Sequence, residues 1–218
     1  MRVKNQKNKF GVFYKKEGFG PPSLILVMNK QLNKISRILL IISGLALLLV
    51  LYVPIWSIYL EAPQYPEGLS MSIYVNRIGG DIDIINGLNH YIGMKTIHAN
   101  DFVEFSILSY CVVFFAALFL LTGWLANKRL FYLLSVLFIA FGVTAMVDFW
   151  RWEYDYGHNL NEEAAIKVPG MTYQPPLIGY KQLLNFGAYS YPDFGGYIFL
   201  FSGLVILFVL FLLLKKKK

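Results

Sequence analysis

The chain has 218 residues, of which 56% are hydrophobic, 17% aromatic and 15% charged, and it carries a formal net charge of +7. A soluble domain of this length is seldom so apolar, nor do its apolar residues run unbroken. The positive charge does not point to nucleic acid: nine Lys and Arg lie within residues 1–37 and four more are residues 215–218, at the flanks of hydrophobic stretches, where basic residues set membrane orientation.

Residues 1–37 read as a basic cytoplasmic tail. Met28, followed by Lys30 and Lys34, looks like a natural beginning, so 1–27, with Gly18, Gly20, Pro21 and Pro22, is expected to be an extension with little order. Residues 38–59 contain no charge and are long enough for a first transmembrane helix, since roughly 20 helical residues cross the hydrocarbon. A cleaved leader is not expected there, because Pro54, Trp56 and Tyr59 stand where small residues would be needed.

Residues 60–104 form a first polar segment. Pro63 and Pro66 to Gly68 signal turns, residues 70–75 alternate like a strand, and Gly79, Gly80 and Asp81 predict a hairpin into 82–85. A second span covers 105–126 and a third 130–147; the three residues 127–129 between them force an antiparallel pair. Residues 148–196 form a second polar segment, in which 148–156 extends the third helix and 180–186 reads as a short helix. The fourth span is 197–214, followed by the basic tail 215–218.

The expected fold is therefore an all-α integral membrane protein with four transmembrane helices, both ends cytoplasmic, and two extracytoplasmic loops forming a small mixed cap. Charge by side agrees. The inner parts hold fifteen basic residues and one acid, Glu17; the outer parts hold Arg77, Lys95, Arg151, Lys167 and Lys181 with the other twelve acids. The location implied is a bacterial inner membrane, multi-pass. The aromatic residues Trp56, Tyr59, Phe149, Trp150, Trp152, Tyr154 and Tyr156 gather at the outer span ends and read as headgroup anchors.

Chemistry is sparse. Cys111 is the single cysteine, so no internal disulfide forms. No nucleotide-binding, hydrolase or metalloprotease motif is present, and no charge lies deep in a span, which disfavours a pump. All three histidines, His90, His98 and His158, fall outside, with Met71, Met94 and Met171. Imidazole with thioether suits Cu(I) and needs no thiolate; zinc is less well served. His90, Met94 and His98 are four apart, which brings them within reach of one metal on a helix but not on a strand. Ordinary loop usage is the competing reading. The acidic pairs Asp81 with Asp83 and Glu162 with Glu163 read as solvated charge.

Residues 65–69 (YPEGL), 71–74 (MSIY) and 85–94 (INGLNHYIGM) resemble a segment of small membrane proteins associated with nitrous-oxide reductase maturation clusters, as do residues 169–179 (PGMTYQPPLIG). The resemblance implies an accessory role in copper delivery or in assembling a periplasmic copper enzyme, and assigns no ligands. The leading expectation is a non-enzymatic, membrane-anchored accessory protein whose cap binds or hands on Cu(I), or docks a periplasmic copper protein, with His90 and Met94 the first expected ligands and Met71, His98, His158 and Met171 behind them. A metal-free scaffold subunit of a membrane complex is the alternative, and a membrane-bound oxidoreductase a weaker one.

Overall fold

The computed structural model describes residues 31–166 and 168–215, together with the backbone of Gln6–Lys7 (β1) and Phe13–Tyr14 (β2), which pair antiparallel. Apart from that ladder, the expectation of little order over 1–27 lies outside the described residues, as does the end of the C-terminal lysine run.

The first apolar run changes structure part-way. Helix α1 spans Lys34–Leu49, opened by Asn33, whose side chain accepts the Ser36 N–H at 2.7 Å. The coil then tightens: the N–H groups of Val50, Leu51 and Tyr52 bond three residues back instead of four. Pro54 removes a donor and biases Val53 away from helix. Beyond it, Trp56–Ala62 is strand β3, in which Trp56, Ile58 and Tyr59 are β-branched or aromatic residues that suit a pleated surface.

Strand β4 (Tyr65–Ile73) returns from β3, and β5 (Ile78–Gly80) closes that edge. Helix α2 covers Ile82–Ile92, a 3-10 turn Ala99–Asp101 follows, and the chain re-enters helix as α3, Glu104–Leu125. Ala126, in left-handed conformation, ends α3, and Asn127 caps α4, Lys128–His158. Strands β6 (Gly179–Leu183) and β7 (Phe186–Pro192) precede α5, Phe194–Lys215. The sheet order is β5-β4-β3-β7-β6, antiparallel throughout. Both polar segments therefore meet in one sheet, through the β3–β7 pairing.

Two expectations fail here. The chain is not all-α: among the described residues five helices accompany a five-stranded antiparallel sheet, so the fold is mixed α/β. Nor do the described residues hold four long apolar helices. Three, α3, α4 and α5, are long and apolar enough to cross a membrane, whereas the run 38–59 is split at Pro54 and α1, with 16 residues, is about 24 Å long at 1.5 Å per residue. Continuous hydropathy hid the break, because a buried strand and a buried helix are equally apolar. The expected strand at 82–85 is the first turn of α2, and the expected helix at 180–186 is the β6–β7 hairpin.

The helices form an up-down bundle. Leu32 N–H bonds Ala126 O at 2.7 Å, and Gln31 bridges Asn127, placing the start of α1 beside the α3–α4 turn. At the other end, Gly195 N–H bonds Pro54 O at 2.8 Å, so α5 starts where α1 finishes and runs the opposite way. Helix α1 packs chiefly on α3. The approach is close: a Cβ on Gly44 would lie 2.8 Å from Leu120 Cγ, and one on Gly123 would lie 2.7 Å from Ile41 Cγ1, the small-residue contact typical of helices in lipid. The guanidinium of Arg37 donates to Gly123 O and Trp124 O at 3.1 and 3.2 Å, satisfying terminal carbonyls of α3. Outward positions such as Val136, Val143, Leu204 and Phe211 are exposed and apolar, as expected of helices that face lipid.

Two hydrophobic clusters result. One fills the bundle around Leu40, Phe119, Phe131 and Ile206; the other lies under the sheet around Ile58, Leu69, Met71, Ile85 and Tyr156.

Candidate cap cavity

Helix α4 has 31 residues, about 46 Å at 1.5 Å per residue, and so outruns the roughly 30 Å of hydrocarbon. Its last turns, from Asp148 onward, carry charge and reach into the cap. There Phe149, Trp152, Glu153 and Tyr156 recur at helical spacing and share one face. That face meets the sheet: Trp56 of β3 lies 5.1 Å from Phe149 between ring centroids, Phe149 stacks on Trp152 at 5.7 Å, and Trp152 lies 5.0 Å from Tyr156. The same residues looked like headgroup anchors in the sequence. In the fold they are the wall of the cap core.

Register selects which side of each strand faces α4. Ile58 pairs with Met71 and with Ser190, so all three share one side. Trp56 Nε1 donates to Ser190 Oγ at 2.8 Å across it. The opposite side carries Tyr59, Tyr180, Tyr189 and Tyr191, with Tyr59 stacked on Tyr191 at 5.6 Å and Tyr180 4.7 Å from Tyr189.

Between the sheet, α2 and α4 lies a partly open, mainly apolar cavity of about 80 Å³. Its walls include Leu60, Met71, Leu88, Trp152, Tyr156 and Tyr173. Glu153 is among them and is 0% exposed. Neither carboxyl oxygen has a hydrogen-bond partner, and the same holds for Tyr173 Oη, whereas the Trp152 indole N–H is directed at the Tyr156 hydroxyl. Two orphaned polar side chains around one apolar space are unusual, because buried polar groups are nearly always bonded. Burial lifts the Glu153 pKa from 4.5 to about 8, against a smaller downward pull from Lys181. The carboxyl is therefore mainly protonated at neutral pH. The Lys181 ammonium donates to Gln174 O at 2.9 Å.

Tyr173 is brought in by a glycine. Its N–H bonds Gly157 O at 2.9 Å, and a Cβ on Gly157 would fall 2.3 Å from Gln174 Cα. Only glycine lets the 171–176 stretch lie against the end of α4. Opposite, Asn86 exchanges two bonds with Ile97, its Oδ1 accepting at 2.7 Å and its Nδ2 donating at 3.0 Å, which ties the 95–97 stretch to α2. At the rim, Lys95 bonds Asp155 at 2.9 Å and holds that carboxyl below its usual range.

The six residues expected to bind copper divide. Met71 is buried and Met94 half-buried, and both line the cavity. None of the three histidines does. His90 is exposed on α2 and His98 is exposed in extended backbone; His158 stacks on Tyr154 at 3.9 Å with Nδ1 3.0 Å from its carbonyl. Met171 is half-buried in the loop before Tyr173 and is not in the cavity wall. The four-residue spacing of His90, Met94 and His98 is carried by neither a helix nor a strand. Gly93 ends α2 in left-handed conformation, with Met94 N–H bonded to Asn89 O at 2.9 Å, so Met94 turns inward while His90 stays out. Among the described residues no three His, Cys, Asp or Glu side chains gather at one point.

The arrangement defines a class in structural terms: an apolar helical bundle of membrane-spanning length carrying a sheet-and-helix cap with a mainly apolar core cavity. No protein-family model, curated protein or solved structure matches the chain.

Proposed function

We propose that this is a multi-pass protein of a bacterial inner membrane whose outer cap binds a small ligand in the Glu153 cavity. The charge count by side supports the orientation. So does the bundle geometry, which gathers the start of α1, the α3–α4 turn and the end of α5 at one end, away from the cap. The observation that carries the binding role is the unbonded Glu153 carboxyl, fully buried in a cavity wall that also holds the unbonded Tyr173 hydroxyl. Leaving a buried polar group unpaired costs roughly 1–3 kcal/mol, a cost that a bound partner would remove. A binding role is favoured over catalysis because Glu153 is the only carboxyl, and no histidine or cysteine lines the cavity with it. Thermal melts of the full chain in detergent, run against a small-molecule library, test this. Stabilising compounds should lose their effect in Met71→Trp, which fills the cavity. Hits that persist in that variant would place binding elsewhere.

A second reading, copper handling in service of a periplasmic copper enzyme, rests on Met71 and Met94, whose thioethers line the same cavity and suit Cu(I). Loading the protein with Cu(I) should then give a stoichiometric complex that Met71→Leu and Met94→Leu abolish and His90→Ala leaves unchanged. Binding lost with His90→Ala instead would contradict the geometry above.

A further inference from the structure

We propose that the far face of the cap sheet binds a neutral glycan chain, with one sugar ring seated in the groove beside Glu61 and the chain running over the Tyr59, Tyr189 and Tyr180 rings. The site lies on the opposite side of the sheet from Glu153 and does not depend on that cavity. Strand register builds it. Tyr59 pairs with Tyr189 and Tyr189 with Tyr180, so three tyrosines form one row across β3, β7 and β6. Two residues further along each strand, side chains return to the same face. There Glu61 pairs with Gly187 and Gly187 with Gln182. The glycine leaves a gap between carboxylate and carboxamide. Distances draw the polar groups together. A Cβ on Gly187 would lie 3.3 Å from Glu61 Oε2 and 3.4 Å from Tyr180 Oη. The Tyr189 hydroxyl donates to Glu61 Oε2 at 3.4 Å, and the Tyr180 hydroxyl donates to Gln182 Oε1. The Gln182 amide in turn donates to Leu184 O at 2.9 Å, which fixes the carboxamide.

The groove has a volume of about 280 Å³ and lies open at the hairpin ends, with Glu61 and Tyr65 on one side and Gln182 and Asn185 on the other. That is nearly twice the ~150 Å³ that admits a benzene ring, room for a sugar ring with its hydroxyls. The hydrogen-bonding atoms select the ligand. A carboxylate accepts only, while Gln182 and Asn185 each offer a donor and an acceptor. Asn185 has no hydrogen-bond partner among the described residues. A hydroxyl donates and accepts at one atom, so a sugar can answer all of these groups. No basic side chain lines the groove, and Glu61 would repel a phosphate or carboxylate, which leaves neutral sugars. The rings supply the second half of the site. Tyr59 and Tyr180 are exposed, and Tyr180 lies 4.7 Å from Tyr189 between ring centroids. An aromatic face is negatively polarised and packs against the C–H face of a sugar ring, whose hydroxyls project from its edge. The row covers two strand spacings, about 10 Å, longer than one sugar ring, so the ligand is a chain of sugars. A cation is served less well, because an aromatic cage surrounds its ligand whereas these rings lie along a sheet.

The test titrates the full chain in lipid nanodiscs by calorimetry, with empty nanodiscs as the blank, against neutral trisaccharides of glucose, N-acetylglucosamine, mannose and galactose. At least one should bind saturably. Sorbitol, which has the hydroxyls without a ring face, should not. Affinity for the bound trisaccharide should fall about tenfold in Glu61→Ala, the worth of a hydrogen bond to a charged group. It should fall about as far in Tyr180→Ala, whereas Tyr180→Phe, which keeps the ring, should retain most of it. Both side chains are exposed, so these variants should melt near the wild-type temperature. Equal binding of sorbitol overturns the ring contacts and the proposal with them. Tetramethylammonium bound in place of every trisaccharide overturns it in favour of a cation. Trisaccharide binding that ignores both Glu61→Ala and Tyr180→Ala puts the sugar elsewhere, and binding of none of the four trisaccharides overturns the proposal outright.

Discussion

The bundle and the cap treat polar atoms in opposite ways. Within the bundle, Thr122 donates to Leu118 O at 2.6 Å, Ser135 to Phe131 O at 2.7 Å and Ser202 to Ile198 O at 2.9 Å, each one turn back in its own helix. Ser43 is the exception, with an unpartnered hydroxyl. Lipid offers no water, so hydroxyls there are satisfied within the segment. The cap borders water, yet its core holds an unbonded carboxyl and phenol. Nothing about folding requires an acid at position 153, since leucine would fill that site against Ile58 and Tyr156 at lower cost. The bundle is thus organised for stability, while the cap core retains a local conflict of the kind found at functional sites.

Three substitutions sharpen or break this contrast. The largest effect is expected in the α1–α3 seam. Gly123→Leu drives a side chain into Ile41 and the Arg37 carbonyl, and should cost about 3 kcal/mol by overpacking, read as a lower melting temperature in nanodiscs. A neutral result would mean that the seam is looser than the described packing. In the cap the sign should reverse. Glu153→Leu should stabilise the protein by roughly 1–3 kcal/mol, the penalty of an unpaired buried polar group, while abolishing ligand binding. Destabilisation by Glu153→Leu would show that the carboxyl has a structural partner, and the contrast would disappear. The smallest effect belongs to Thr122→Val, which removes one within-helix hydroxyl bond and should cost about 0.5 kcal/mol.

The helices α3, α4 and α5 were legible in the sequence because a span needs only length and apolarity. The sheet was less so. Residues 38–59 read as one helix because every residue is uncharged, although Pro54 and the following Ile55, Trp56, Ile58 and Tyr59 already carried the breaker and the strand composition. Gly93, four residues before Ile97, was a visible helix stop, and it separates His90 from Met94; counting residues four apart ignored it. Glu153 was obscured by its neighbours. An acid among Trp152, Tyr154 and Tyr156 beyond a span end looks like a wet, interfacial charge. The signal that identifies it is the stripe Phe149, Trp152, Glu153, Tyr156, where helical spacing puts the acid on the apolar face. The pairing of β3 with β7 joins segments more than 120 residues apart in sequence, and no local pattern encodes such a contact.

Glu153 is buried in the folded cap, and burial keeps its carboxyl protonated at neutral pH, a state that its own titration reads out. Because burial raises the folded pKa from 4.5 to about 8, the folded state holds a proton that the unfolded chain releases across that interval. The stability this contributes is complete below about 4.5 and is lost as pH rises through about 8, so melting temperature should fall over that window in the wild type more than in Glu153→Gln. Isotope-edited infrared spectroscopy of the full chain, assigned by the same variant, should show the protonated Glu153 carbonyl stretch surviving to about pH 8. A carboxyl already ionised near pH 5 would contradict the account.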